Sequence, residues 1–235
     1  MATIVLDRDH HGAHAVAETL RSSGIDALAS DCDITDDSQC RRAIDTAIAD
    51  RGRIDVLIHS AGLTQISPFR DTELSVYRRV MEVNFFGVVN LTKAALPHLV
   101  QSHGQVIALS SIAGFAPLWG RTGYCASKYA LHGFLETLRG ELHEDDVAVT
   151  LICPSFVATG FAEQGLDGDG NQRSTQRSTT GRMLKPRDVA DAIYRATLRR
   201  QRLVILSTTG RMSYALSRFA PRLYERMMLR RIRDE

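Results

Sequence analysis

Short apolar runs alternate with segments of helical periodicity along most of the chain. Ile4, Val5 and Leu6 begin the pattern as a strand over residues 3–6, followed by a helix over about 13–22 and a strand over 27–30. A helix over 38–49 and a strand over 56–58 come next, and later strands fall at 106–109, 147–152 and 203–206 with helical patterns between them. Pro186 suits a first helical position and precedes a helix over 188–198. Strand and helix in steady alternation predict an α/β fold: a doubly wound, mostly parallel sheet with helices on both faces, three layers in all.

Composition narrows this to one domain. With 235 residues, 44% of them hydrophobic and 24% charged, the chain can bury a substantial core, and a single domain over 1–235 is expected. No apolar run approaches the roughly 18 residues of a membrane span. The first residues lack the basic-then-apolar signature of a signal peptide, so a cytoplasmic location is expected. Cys32, Cys40, Cys125 and Cys153 show neither metal spacing nor a disulfide framework and read as buried or half-buried thiols.

Two regions depart from the alternation. Residues 160–182, rich in Gly, Ser, Thr and Gln, predict a mobile substrate loop or lid. Its Asp167-Gly168-Asp169-Gly170-Asn171 start lacks a calcium loop's later requirements, with Gln172 at the sixth position and Ser178 at the twelfth. The glycines at 165, 168 and 170 have no preceding strand and make no dinucleotide fingerprint. The second region holds the basic charge. Net charge is only +2, yet residues 182–235 carry 14 Lys/Arg against 5 Asp/Glu. Over 211–233, Leu216, Phe219, Leu223, Met227 and Ile232 keep helical spacing among Arg218, Arg222, Arg226 and Arg230, a basic amphipathic helix interrupted at Pro221. Its apolar stripe either packs over the substrate cleft or a subunit interface, or makes peripheral contact with a membrane surface. Without a reading motif or base-stacking aromatics, nucleic acid is not an expected partner.

The chemistry concentrates in residues 110–134. Tyr124 and Lys128 stand four apart in a helical stretch and project from one face. An ammonium beside a phenol favours the phenolate and predicts a lowered Tyr124 pKa, as a general acid/base needs. Ser111, at a strand end, could hold a carbonyl or alcohol oxygen. Alone, Y-x-x-x-K at helical spacing usually marks only an amphipathic face.

Four motifs in order give it context: VNFFG at 83–87, SSIAG at 110–114, YCASK at 124–128 and PSFVAT at 154–159. Through them the chain resembles the short-chain dehydrogenase/reductase family, which implies a Rossmann-type fold and NAD(P)-dependent interconversion of hydroxyl and carbonyl groups. The resemblance implies a catalytic tetrad of Asn84, Ser111, Tyr124 and Lys128. Tyr124 would exchange the proton and Ser111 position the carbonyl. Lys128 would lower the Tyr124 pKa and bind the nicotinamide ribose, and Asn84 would hold a water that relays protons to Lys128. Pro154, Val157 and Thr159 would meet the nicotinamide, although Ser155 replaces the family's usual glycine. CDITD at 32–36 would bring Asp33 and Ile34 to the adenine. HSAG at 59–62 would supply Ser60, Ala61 and Gly62 to the cofactor, with His59 and Ser60 as variants of the usual pair of asparagines. The runs at 70–97 and 204–231 resemble the dehydrogenase/reductase 7 group, near the 11β-hydroxysteroid dehydrogenases, which implies a bulky lipophilic substrate. A homodimer or homotetramer through the helices after Ser75 and Tyr124 is also implied.

One family feature has no counterpart. The T-G-x-x-x-G-x-G turn that holds the pyrophosphate at a helix N-terminus is not found, and the opening segment corresponds to the family's second strand and its helix. A first βα unit of about 25–30 residues is thus missing from the pattern, leaving one strand fewer than seven. On this alignment Asp7 ends the strand that meets the adenosine ribose and favours NAD over NADP, with Arg8 beside it as a partial offset. Three explanations stand: an upstream segment carries the loop, the first strand has slid into the central place of a six-stranded sheet, or a neighbouring chain donates the pairing. The expected function is an NAD(P)-dependent oxidoreductase, with a cofactor-free, inactive relative of structural or regulatory role as the alternative. His10 and His14, at i and i+4, lack a third ligand nearby in sequence and read as a solvated helix face, so no metal site is expected.

Overall fold

The computed structural model describes residues 2–161, 164–172 and 183–233, the last three as backbone only. Six parallel strands are seen among them: β1 (Thr3–Asp7), β2 (Ala27–Asp31), β3 (Val56–His59), β4 (Gln105–Leu109), β5 (Ala148–Cys153) and β6 (Leu203–Ile205). The helices α1 (His10–Ser22), α2 (Asp37–Arg51), α3 (Leu74–Met81), α4 (Gly87–Ser102), α5 (Thr122–Glu141) and α6 (Pro186–Arg199) alternate with them, and α7 (Thr208–Phe219) and α8 (Pro221–Arg233) close the chain. The expected α/β architecture is present.

The sheet is divided. β1 pairs with β2 alone, and β3 to β6 form a second sheet in the order β3-β4-β5-β6. Neither β1 nor β3 has a second strand partner among the described residues. The expected six strands are there, but the slid arrangement is corrected: β1 has not moved beside β3 to make one continuous sheet. The two sheets still share a core. Leu6 of β1 and Ile34 pack against a cluster that includes Cys40 and Ile44 of α2, Leu57 of β3, Leu91, Ala95 and Leu99 of α4, and Val106 of β4. Parallel strands buried on both faces read as continuous apolar runs, which is why VIAL of β4 and VTLIC of β5 were legible.

Between α3 and α4 the chain makes one π-helical turn, Glu82–Phe86. Such a turn shifts the facing of the side chains it carries, and here it turns Asn84 inward to 1% exposure. Asp36 caps α2 by accepting from the Ser38 and Gln39 backbone amides, and hydrogen bonds from the Ser38 hydroxyl and the Gln39 side-chain amide, with the backbone bonds after them, hold its carboxyl well below the usual carboxylate range.

Part of the expected loop is anchored. Leu166 is buried with Val76 and Val80, and its backbone bonds to Thr64 and Ile66. Gly168 is required there, because a Cβ would overlap the Asp71 carbonyl. The rest of the predicted lid, residues 173–182, lies outside the described residues, as do 162 and 163.

The basic tail is two helices broken at Ala220, as Pro221 predicted. Its face toward the rest of the chain is formed by tyrosines. Tyr214 and Tyr224 pack against the small cluster of Ile112, Phe115, Ala116 and Cys153, and the Tyr224 hydroxyl donates to the Pro117 carbonyl at 3.1 Å. Phe219, Leu223 and Met227 are instead exposed, Phe219 to 87%. Tyr224 buries its ring while its hydroxyl keeps a polar partner, and the Tyr214 ring packs edge-on against Phe115. All four cysteines are buried free thiols.

Candidate active site

The C-terminal ends of β3, β4 and β5 and the start of α5 surround a cavity of about 470 Å³. Ser111 follows β4, where its backbone leaves the strand and its Oγ accepts from the Ala113 amide at 3.2 Å, fixing a short turn. Tyr124 and Lys128 lie one turn apart on the buried face of α5, at 6% and 4% exposure. All three line the cavity, together with Ser60, Ala61, Gly62, Pro154, Val157 and Thr159. Nine of the residues singled out in the sequence therefore share one chamber.

Asn84 stands just outside it. Its Oδ1 accepts from the Leu63 amide at 2.7 Å, and its Nδ2 donates to the Leu63 carbonyl and the Ser127 hydroxyl, both at 2.8 Å. The amide is thus spent on fixing the turn after β3 against α5. A Cβ on Gly62 would come within 3.5 Å of the Asn84 oxygen and 3.9 Å of Lys128 Nζ, so the turn, the amide and the ammonium are in close register. These bonds give Asn84 a positioning part between the turn after β3 and α5.

The electrostatics also differ from expectation. Lys128 Nζ donates to the Leu109 carbonyl at 2.9 Å and lies 5.9 Å from the Tyr124 ring centroid. Burial draws its pKa down to about 8. Burial pushes the Tyr124 phenol up, while a hydrogen bond with Ser111 and the charge of Arg121 pull it back. The predicted lowering by Lys128 is thus not seen in this arrangement, where desolvation of the phenol is the larger effect.

The adenosine-end residues do not join the chamber. Asp33 Oδ1 is engaged by the Thr35 amide and hydroxyl at 2.9 and 2.7 Å, and Ile34 packs over Gly87, where a Cβ would come within 2.6 Å of it. Asp7 ends β1, exposed, accepting from the Asp9 amide at 3.0 Å. His59 does not line the cavity: it is buried, bonded to Thr92 Oγ1 at 2.9 Å, and burial and the nearby Lys128 charge lower it to about 4.

Sequence reasoning missed three residues of the site. Arg121 lines the cavity and donates to Thr64 Oγ1 at 3.2 Å, and Phe161 covers Tyr124 at a ring separation of 6.2 Å. His132 supports the floor, sharing a 2.8 Å hydrogen bond with Ser110 and lying 3.7 Å from the Cys153 sulfur; burial, with the Lys128 charge next, lowers it to about 4. Only its i+4 spacing from Lys128 hinted at the last.

A Ser–Tyr–Lys chamber thus opens at the carboxyl ends of the strands of a parallel, Rossmann-type α/β fold. The family model for short chain dehydrogenases matches residues 1–169, and the chain belongs to that family of oxidoreductases. It is 35% identical over 186 residues to dehydrogenase/reductase SDR family member 7B from Rattus norvegicus, covering 78% of this chain and 57% of that protein. The chain thus spans little more than half the length of such relatives. Its fold is similar to that of a short chain dehydrogenase/reductase from Burkholderia phymatum in complex with NAD, at a TM-score of 0.84 and 22% identity, over 95% of this chain and 86% of that one. An alcohol dehydrogenase from Thermococcus sibiricus complexed with 5-hydroxy-NADP matches at a TM-score of 0.74 and 22% identity, over 87% and 84% of the two chains.

Proposed function

We propose that this chain carries the hydroxyl/carbonyl site of a nicotinamide-dependent oxidoreductase acting on a lipophilic small molecule. The observation that carries the reading is the convergence of Ser111, Tyr124 and Lys128 in one chamber with the residues suited to a nicotinamide. When bound, the nicotinamide would deliver or accept the hydride. In the reducing direction Ser111 and the Tyr124 hydroxyl grip the substrate oxygen, and the phenol gives up its proton as the carbonyl carbon is reduced. Lys128 stabilises the phenolate left behind, and its pKa near 8 makes it able to pass on a proton near neutrality. Leu118, Phe156, Val189 and Ile193 give the chamber apolar walls, which supports a lipophilic substrate.

The described residues fit only half of a dinucleotide. Asp9 caps α1 with its own carboxylate, accepting from the Gly12 amide at 3.2 Å, so the helix end nearest β1 already holds an anion. A second reading, an inactive relative without cofactor, rests on the lack of a pyrophosphate-binding glycine turn among the described residues. Asp7 supports NAD over NADP in the first reading. Calorimetric titration of the folded chain with NADH and NADPH tests both. Micromolar binding with turnover of an aliphatic or steroidal ketone supports the enzyme, whereas a folded chain that binds neither supports the second reading.

Two proposals on assembly go with this reading. Phe85 of the π-helical turn and Phe134 and Leu138 of α5 border a shallow groove, which supports a homodimer or homotetramer through the helices after Ser75 and Tyr124. Exposed Phe219, Leu223 and Met227 beside Arg222, Arg226 and Arg230 support peripheral contact with an anionic membrane surface, tested by co-sedimentation with vesicles containing or lacking anionic lipid.

A further inference from the structure

The sequence set aside His10 and His14 for want of a third ligand, and the fold supplies one. Asp31, at the end of β2, brings its carboxylate Oδ1 to 2.6 Å from His10 Nδ1. The imidazoles of His10 and His14 lie with ring centroids 4.2 Å apart. One ligand atom from each of His10, His14 and Asp31 falls within 4.8 Å of the others. We propose that these three side chains form a surface site for a divalent transition metal of the zinc class.

Two imidazoles and one carboxylate match the donor preferences of Zn²⁺, Co²⁺ and Ni²⁺ and not those of Ca²⁺ or Mg²⁺. Metal–ligand distances of about 2.0–2.2 Å require the donors to stand roughly 3.5 Å from one another, so the His10–Asp31 pair opens as His14 moves in. All three side chains are exposed, so rotamer changes at the surface can supply that movement without disturbing the core. Three protein ligands leave the fourth tetrahedral position to water. Asp7 and Asp9 stand at the same end of the β1–β2 pair and add negative potential, which Arg8 partly offsets.

The position gives the site a purpose. An isolated two-stranded sheet is marginal in water, and β1–β2 has no further strand partner among the described residues. A metal held by two residues of α1 and one of β2 would clamp the helix to the strand, and binding to the folded state alone stabilises it by mass action. The bland reading is a simple His10–Asp31 ion pair, worth little when exposed. His14 separates the two readings, because the ion pair does not use it and the metal does.

The test uses the untagged, chelator-stripped full chain, titrated with Co²⁺ and then with Zn²⁺. The expected result is one equivalent of Co²⁺ with tetrahedral visible absorption, displaced by Zn²⁺, and a melting temperature raised by Zn²⁺. His14→Ala and Asp31→Asn should each weaken Co²⁺ binding at least tenfold, while His11→Ala leaves it unchanged. Unaltered binding in His14→Ala, equal loss in His11→Ala, or no cobalt spectrum at moderate metal excess overturns the proposal. None of these readouts depends on the redox reading.

Discussion

The ammonium of Lys128 is held by the Leu109 carbonyl at 2.9 Å, on the strand that precedes Ser111, while its ring partner Tyr124 sits one turn before it on α5. The strand and the helix are thereby joined by a buried cation, and that cation carries a cost. Burial lowers the Lys128 pKa from 10.5 to about 8, so the unfolded chain binds the extra proton between those values and stability should rise with pH across that window.

Lys128→Met removes the buried charge along with its hydrogen bond to Leu109. At pH 7 the variant should be as stable as the parent, or more so by about 1–2 kcal/mol, because desolvating an ammonium outweighs one neutral acceptor left behind. Turnover should fall by roughly a hundredfold or more. Denaturant unfolding at pH 7 and 9 alongside a steady-state assay checks both, and the rise in stability between those pH values should vanish in the variant.

Tyr124→Phe deletes the proton donor and keeps the ring that Phe161 covers. Carbonyl reduction should drop by roughly two to four orders of magnitude, with cofactor affinity little changed. A variant retaining more than a tenth of parental activity would mean another group supplies the proton.

His59 and His132 are both lowered from 6.5 to about 4 by burial, first of all, with the Lys128 charge adding to it. Between those values the unfolded chain takes up protons that the folded one refuses. The contribution is therefore complete above pH 6.5 and is lost as pH falls toward 4. At about 1.4 kcal/mol per pK unit, each histidine accounts for up to roughly 3 kcal/mol of acid destabilisation. His59→Gln, which can still reach Thr92, should flatten the stability profile between pH 6.5 and 4 when urea midpoints are compared.

Gly168→Ala should cost about 2 kcal/mol or more, since the added methyl overlaps the Asp71 carbonyl and unseats Leu166 from Val76 and Val80. The comparison is with Gly170→Ala, strained instead through its positive φ of 87°. Limited proteolysis near residues 164–172 should speed up in Gly168→Ala; an unchanged rate would show that the anchor is not held by this glycine.

Strand positions were legible because VIAL and VTLIC are apolar on both faces, and the reactive group was legible because Ser111, Tyr124 and Lys128 sit within eighteen residues of one another. What escaped was long-range. The approach of Asp31 to His10 spans 21 positions, and Arg121 reaches Thr64 across 57. No periodicity encodes such pairings. The Tyr124 pKa was misjudged because spacing predicts that two groups are neighbours but says nothing of how much water each loses. The tail's inner face was not legible either, because the packing of Tyr214 and Tyr224 on Ile112, Phe115 and Cys153 is again long-range.

The divided sheet also bears on how the molecule would come apart. A continuous ladder of backbone hydrogen bonds spreads load across every strand, but among the described residues one ladder joins β1 to β2 and a separate one runs from β3 to β6. The piece formed by β1, α1 and β2 is tied to the rest by the covalent chain through α2 and by side-chain packing, above all where α2 meets α4. Tension applied near Thr3 would therefore meet apolar contacts that slide and yield at low force, and the larger plate would lose its N-terminal flap well before any of its own strands were drawn out.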